Sequence, residues 1–467
     1  VAETEATPPP WRRAGLIAAP LLLVALWWAP LPAPVPARHA VAIAAFMIVL
    51  WATEAVDHAL AGFLGVFLFW ALRVVPADEA FSGFAHETPW FLFGAMLIGA
   101  AAGKTGLARR IAYLVAARVG TTASRLLLAF IVVDFLLTFL VPSGIARVTL
   151  LAAVAVSVVE ASGAGRGSNL GRGLLIIVTY TAALFDKMLI AGAASILARG
   201  IIQDVGHVKV FYSQWFVAYL PCDFITILAC WWLVLRLYPP EGNVDQGLAH
   251  LRQRLAELGP WSAAEKRAAL LLSGAVAMWM TDFVHHVSPS VIGLGVGLLT
   301  LLPGVGVLKA ADARALNYGA LWFTAAALSM SRVLTKTGGL DLLTGALVGW
   351  MDPLVTGPFS SSVVLYWTAF VYHFFLANET AMLSTSLPVV LRFAMERGMD
   401  PLATGMIWTF ASGGKIFVYQ SAVLIVGYSY GYFDARDMLK LGFALTAIES
   451  VILALLVPLY WPLVGIG

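Results

Sequence analysis

Apolar stretches follow one another along the whole chain, from 15–31 and 39–56 near the start to 401–428 and 438–464 near the end, with short polar turns between them. Few folds suit such a pattern. In hydrocarbon every backbone amide must find its partner inside the chain, so segments of this length allow helices. Hydrophobic residues make up 60% of the 467 and charged residues only 12%, with mean hydropathy +0.86. Soluble domains hold about 25% charged residues. The expected fold is an all-α polytopic membrane protein, with length enough for about ten spans and their connections.

Charge sets orientation more than partner. The net charge of +3 and the absence of a basic run argue against nucleic acid. Lys104, Arg109, Arg110, Arg118 and Arg125 crowd one segment, and the polar loop 239–265 is the longest in the chain. Both are expected in the cytoplasm, whereas "MDPLVTGPFSSS" carries no Lys or Arg and should face outward. Residues 1–38 read as a polar tail and a retained first helix. Cys222 and Cys230, eight apart on one apolar stretch, read as core packing.

The chain also repeats itself. "WATEAVDH" at 51–58 is echoed by "WMTDFVHH" at 279–286, and Lys104 and Lys336 lie 232 positions apart in "GKTG" and "TKTG". Two apolar pairs are interrupted by "VPSGIAR" and "ANETA", which places Ala146 235 positions before Ala381. Each pair, 126–160 and 363–391, is expected to form a re-entrant helical hairpin with its tip inside the membrane. Residues 39–238 and 266–467 then form two repeats joined by a cytoplasmic linker, 239–265. An odd number of crossings in each would make them inverted, and inverted repeats set a binding site at their interface near the midplane.

One placement in this pattern is costly. "ALFDKMLIAGAAS" puts Asp186 and Lys187 in the middle of the apolar segment 173–199. A charge at that depth costs about 2.5–3.5 kcal/mol on insertion scales and is rarely without purpose. The repeat supplies a partner, because "GGKIFVYQSA" lies in the segment 401–428 and Lys415 falls 228 positions after Lys187. Four of the eight lysines thus form two repeat-matched pairs. Both segments are expected to be broken helices.

The ordered set "WATEAV", "GFAHETPWFLFGAMLIGAAAGKTGLARRIA", "VPSGIARVTLL", "ANETAMLSTSLPVV" and "VGYSYGYFDARDMLKLG" resembles the divalent anion/sodium symporter (DASS) family across nearly the whole chain after the first helix. That resemblance implies a homodimer with about eleven spans per protomer, an elevator-type motion, a bacterial inner-membrane location, and di- or tricarboxylate or sulfate as cargo. The family carries Ser-Asn-Thr at each tip. Here the tips read Ser143-Gly144-Ile145 and Asn378-Glu379-Thr380, which makes these six the first candidates for substrate contact. The family's breaks supply carbonyls and small polar groups around sodium, whereas these breaks carry Lys187 and Lys415.

A tethered ammonium brings the charge of a bound cation and three donors. The expectation is therefore a sodium-independent carrier in which Lys187 and Lys415 replace bound cations or contact the anion, with Asp186 as a pairing group beside Glu379. Arg147, one turn past the first tip, either attracts the anion or closes the hairpin at the cytoplasmic surface. Ser412, Gln420 and Ser421 flank the second break and could line the site. No metal cluster or cofactor is expected. A sodium-coupled dicarboxylate or sulfate symporter and an anion channel are the alternatives. The chain lacks G-x-S-x-G, H-E-x-x-H and P-loop motifs, so an enzyme is not expected.

Overall fold

The structure, a computed structural model, describes residues 10–141, 143–241, 244–376 and 378–467. Most of the polar tail therefore lies outside the described residues, as do Pro142 and Ala377 beside the two tips. Every regular element among the described residues is a helix. Six helical stretches are long and apolar enough to cross a membrane, or seven if the bent pair Glu87–Thr105 and Leu107–Val119 counts as one.

Helix boundaries recur along the chain. Ala123–Leu140 and Gly144–Ala161 form one helix pair, and Pro358–Phe375 and Glu379–Glu396 form the other, each boundary shifted by 235 positions. Local chemistry explains where they start. Ser143 accepts from the Ala146 amide, and Asn378 accepts from the Thr380 and Ala381 amides, so each second helix begins with a capped turn. Both pairs begin earlier than the apolar pattern alone predicts. Thr122 caps the first, and Pro358 opens the second with a preset φ. The bend of 66° after Glu87–Thr105 falls at Gly106, with φ +80°. Gly338, 232 positions later, has φ +78° at the end of Gly319–Thr337.

Within the apolar segments 173–199 and 401–428 the regular helix is interrupted. Asn169–Met188 is followed after four residues by Ala193–Gly206, and Pro401–Ala411 is separated from Ala422–Ser429 by a longer stretch that holds only the short 3-10 helix Val418–Gln420. In the stretch Asn169–Gly206, 94% of the most apolar window is buried, against 44–50% in the other membrane-length helices. A helix buried on all sides belongs to the core. The broken helix is therefore the axis around which the rest packs.

Polar clamps tie the connections down. The loop 239–265 contains a helix, Asp245–Glu257, packed against Leu107–Val119 and Gly144–Ala161. From Leu107–Val119, Arg110 pairs with Glu265 at 2.6 Å and donates to the carbonyls of Leu258 (3.2 Å), Gly259 (2.9 Å) and Pro260 (3.3 Å). The basic segment and the linker thus share one face. Elsewhere, the Lys104 ammonium, 2.5 Å from Asp312, holds that carboxyl below its ordinary range.

Packing between the two halves of the chain depends on glycine. Gly293 and Gly297, four apart on Pro289–Leu299, face Gly94 on Glu87–Thr105. A Cβ on Gly94 would fall 2.3 Å from the Gly293 carbonyl oxygen, and one on Gly297 would fall 2.8 Å from the Gly94 Cα. Backbones this close gain dispersion contacts that lipid cannot replace. Gly94→Val is expected to separate the two helices. In size-exclusion chromatography of the detergent-solubilised protein it should replace the symmetric peak with aggregate, whereas Gly274→Val, at an open position, should not.

Candidate functional site

Two buried ion clusters sit where the helix-pair tips meet the breaks. In the first, Arg147 is wholly buried at the start of Gly144–Ala161. Its Nε donates to Asp134 Oδ1 at 2.9 Å, and its Nη1 lies 2.9 Å from Asp186 Oδ1. Nη1 also donates to the Val141 carbonyl (3.1 Å), and Nη2 to that of Ala182 (2.8 Å). Asp186 accepts from the Gly144 amide at 3.1 Å. One guanidinium thus binds the first tip to the first break. It neither points into open space nor caps a surface.

In the second cluster one carboxylate holds two ammonium groups. Glu379 Oε2 lies 3.1 Å from Lys415 Nζ, and Oε1 lies 3.3 Å from Lys187 Nζ. Ser412 donates to Oε1 at 2.9 Å. Lys187 belongs to the first break but crosses to the second. A Cβ on Gly413 would fall 2.0 Å from Lys187 Nζ and 2.7 Å from the Phe410 carbonyl oxygen, so only glycine lets the ammonium lie there. Phe410 lies 228 positions after Ala182, the residue whose carbonyl holds Arg147. Lys187 Nζ thus lies in the neighbourhood of the Phe410 carbonyl, held by its ion pair with Glu379, as Arg147 lies at the carbonyl of Ala182.

The acids exchange places in the same way. Where the first half has Gly144 at its tip and Asp186 at its break, the second has Glu379 at its tip and Gly414 at its break, offsets of 235 and 228. A Cβ on Gly144 would fall 2.4 Å from Asp186 Oδ2. The carboxylate of the break thus takes the room a tip side chain would need.

Between the tips lies a cavity of about 570 Å³. Ser143, Gly144 and Ile145 line it from the first tip, and Asn378, Glu379 and Thr380 from the second. Asp186 and Ser421 reach it from the breaks, and Glu54 and Asn317 from the facing wall. Lys187, Lys415, Arg147, Ser412 and Gln420 are behind this surface. Gln420 instead accepts from the Ile416 and Phe417 amides at 2.7 and 2.8 Å and shapes the stretch between Pro401–Ala411 and Ala422–Ser429. Asp134 is not singled out by the repeat, although a lone acid in "LLLAFIVVDFLLTFL" is the same kind of signal as Asp186. Asn317 has no such signal, because it comes from a turn remote in sequence.

An all-helical chain with membrane-length apolar helices, whose two tips and two breaks converge on one polar cavity, has the build of a membrane carrier. The sodium:sulfate symporter transmembrane region family matches residues 11–466, and the chain belongs to this family. It is 25% identical to the L-tartrate/succinate antiporter of Escherichia coli K12, over 82% of this chain and 80% of that protein. It is 26% identical to a membrane protein of Cupriavidus necator, over 97% of this chain and 93% of that one. The solved structure of the YdaH transporter from Alcanivorax borkumensis shares the fold, with TM-score 0.57 at 16% identity, over 92% of this chain and all of that one. The protein is an integral membrane transporter of the bacterial inner membrane and not an enzyme.

Removing Arg147 would leave Asp134 and Asp186 facing each other without a cation. Losing one partner of a buried ion pair costs about 3–5 kcal/mol. Arg147→Met is expected to lower the melting temperature and the yield of dispersed protein sharply. Adding Asp134→Leu and Asp186→Asn to it should recover part of both, and no recovery would mean the guanidinium acts through something other than these acids.

Proposed function

We propose that the protein exchanges small dicarboxylates across the membrane without sodium. The observation that carries this reading is the pair of matched cation seats. At each junction of tip and break, where the family resemblance implies sodium held by carbonyls, a side-chain cation already occupies the position: Arg147 against the Val141 and Ala182 carbonyls, and Lys187 with Lys415 around Glu379. These residues do not fit an added sodium ion: around Glu379 it would meet two ammonium groups, and at the first junction Arg147 already takes the Val141 and Ala182 carbonyls.

The dicarboxylate assignment is supported by the antiporter relative, whose name gives tartrate and succinate as its cargo. The matched boundaries at offsets near 228–235 support two repeats, 39–238 and 266–467, and the family resemblance implies that they are inverted, with re-entrant hairpins and about eleven spans. Carriers built on inverted repeats alternate by moving one bundle against another. In this reading the tips, the breaks and the cavity between them travel together as the mobile part of an elevator, and two copies of the chain form a homodimer. The wall carrying Glu54 and Asn317 belongs to the static part.

Exchange is read in liposomes loaded with succinate and given labelled succinate or L-tartrate outside, in sodium or in choline. Uptake is expected to require internal succinate, to be equal in the two salts, and to fall at least ~10-fold, about 1.4 kcal/mol, in Lys187→Met and Lys415→Met. Sodium-driven uptake that survives both substitutions would establish an ordinary symporter with structural lysines. Flux indifferent to internal substrate would establish a channel.

A further inference from the structure

A cavity that takes anions must offer them positive charge, yet among the described residues lining this one there is no Lys, Arg or His. What the cavity shows instead are carboxylates. The side chains of Lys187 and Lys415 are each 3% exposed, while that of Glu379, which lies between them and the opening, is 15% exposed. Both oxygens of Glu379 are engaged, one with each ammonium. An arriving anion therefore finds the positive charge already covered by an internal one.

We infer that Glu379 is a tethered stand-in for the cargo: it holds the place of a substrate oxyanion, carboxylate or sulfate, over Lys187 and Lys415 in the empty carrier, and swings into the cavity when cargo binds. This inference rests on the reading of the chain as an anion carrier. Three features suit Glu379 to the task. Its carboxylate bridges two ammonium groups from two separate breaks, which is the contact a cargo carboxylate would make. Ser412 donates to the same oxygen that faces Lys187, so the seat offers a neutral donor besides its two charges. Finally, Glu379 is the first residue of Glu379–Glu396, so a displaced carboxylate stays in the favourable field of the helix N-terminus and gains water from the cavity. Displacement then trades one charge-assisted contact for another, and the two lysines are never left bare. Asp186, 21% exposed over Arg147, is not equivalent: its oxygens are shared between the guanidinium and the Gly144 amide, so it also fastens the tip.

The test is direct binding of succinate, and of sulfate as a second probe, to the purified full-length protein, read by titration calorimetry and by the rise in melting temperature. Glu379→Gln removes the competing charge but keeps the size and an acceptor for Ser412. Its succinate dissociation constant is expected to fall at least ~10-fold, about 1.4 kcal/mol. Without added anion it should melt below the wild type, and succinate should raise its melting temperature by more. Glu379→Asp, too short to reach both ammonium groups, should show a smaller gain in the same direction and carries the test if Glu379→Gln does not fold. Glu257→Gln, which removes a charge from an exposed pair with Arg254, should bind as the wild type does.

Unchanged or weaker succinate binding in the folded Glu379 variants would overturn the stand-in role. An equal gain in Glu257→Gln, or no binding of either anion by any variant, would overturn it too. The exchange reading fails separately. Sodium-driven uptake by a wild type whose Glu379→Gln variant binds more tightly would leave the stand-in role in place. Sodium-free exchange by a wild type whose Glu379 variants gain nothing would do the reverse.

Discussion

One carboxylate between two ammonium groups holds the centre of this protein together. Lys187 comes from the first break, Lys415 from the second, and Glu379 from a hairpin tip, so a single contact joins three segments far apart in the chain. None of these groups could stay charged alone at this depth, since an isolated ion in a dry interior costs several kcal/mol. Each element must therefore be placed accurately enough for the others to be tolerated. Gly413 is fixed by the Lys187 ammonium that lies where a side chain would be, and Ser412 by the remaining oxygen of Glu379.

The Arg147 cluster repeats the solution with the signs reversed, one cation between two acids. The guanidinium suits its seat because its planar fork reaches two carboxylates and two carbonyls at once. An ammonium, with three donors, could not serve all four acceptors.

Much of this was legible in the sequence. Apolar run length and low charge identify a membrane chain, and the offsets of 228 to 235 that pair Lys104 with Lys336, Lys187 with Lys415 and Ala146 with Ala381 also pair the helix boundaries. Asp186 and Lys187 stand out because charge is so costly where they lie. Less legible was who pairs with whom. Adjacent in sequence, Asp186 and Lys187 part company in the fold, the acid to Arg147 and the amine to Glu379. Successive residues on a helix point about 100° apart, so neighbours in the chain are poor partners in space. Arg147 looked like a group for solvent or substrate because its acids, Asp134 and Asp186, lie 13 and 39 residues away on other helices. Helix ends were displaced for a simpler reason, since caps such as Thr122 extend a helix beyond its apolar run.

The exchange of glycine and acid between the two halves bears on how such a chain can change over generations. With Gly144 and Asp186 in one repeat and Glu379 and Gly414 in the other, each half keeps one carboxylate, but from opposite walls. Restoring either half to the other's arrangement takes two substitutions, and the intermediate carries an acid at both of these positions or at neither. Neither state is neutral, because one crowds like charges and the other takes a carboxylate from a buried cation: from Arg147 in the first half, which keeps Asp134, and from both lysines in the second. The two halves are thus interlocked, and neither can drift toward the other's arrangement by single steps.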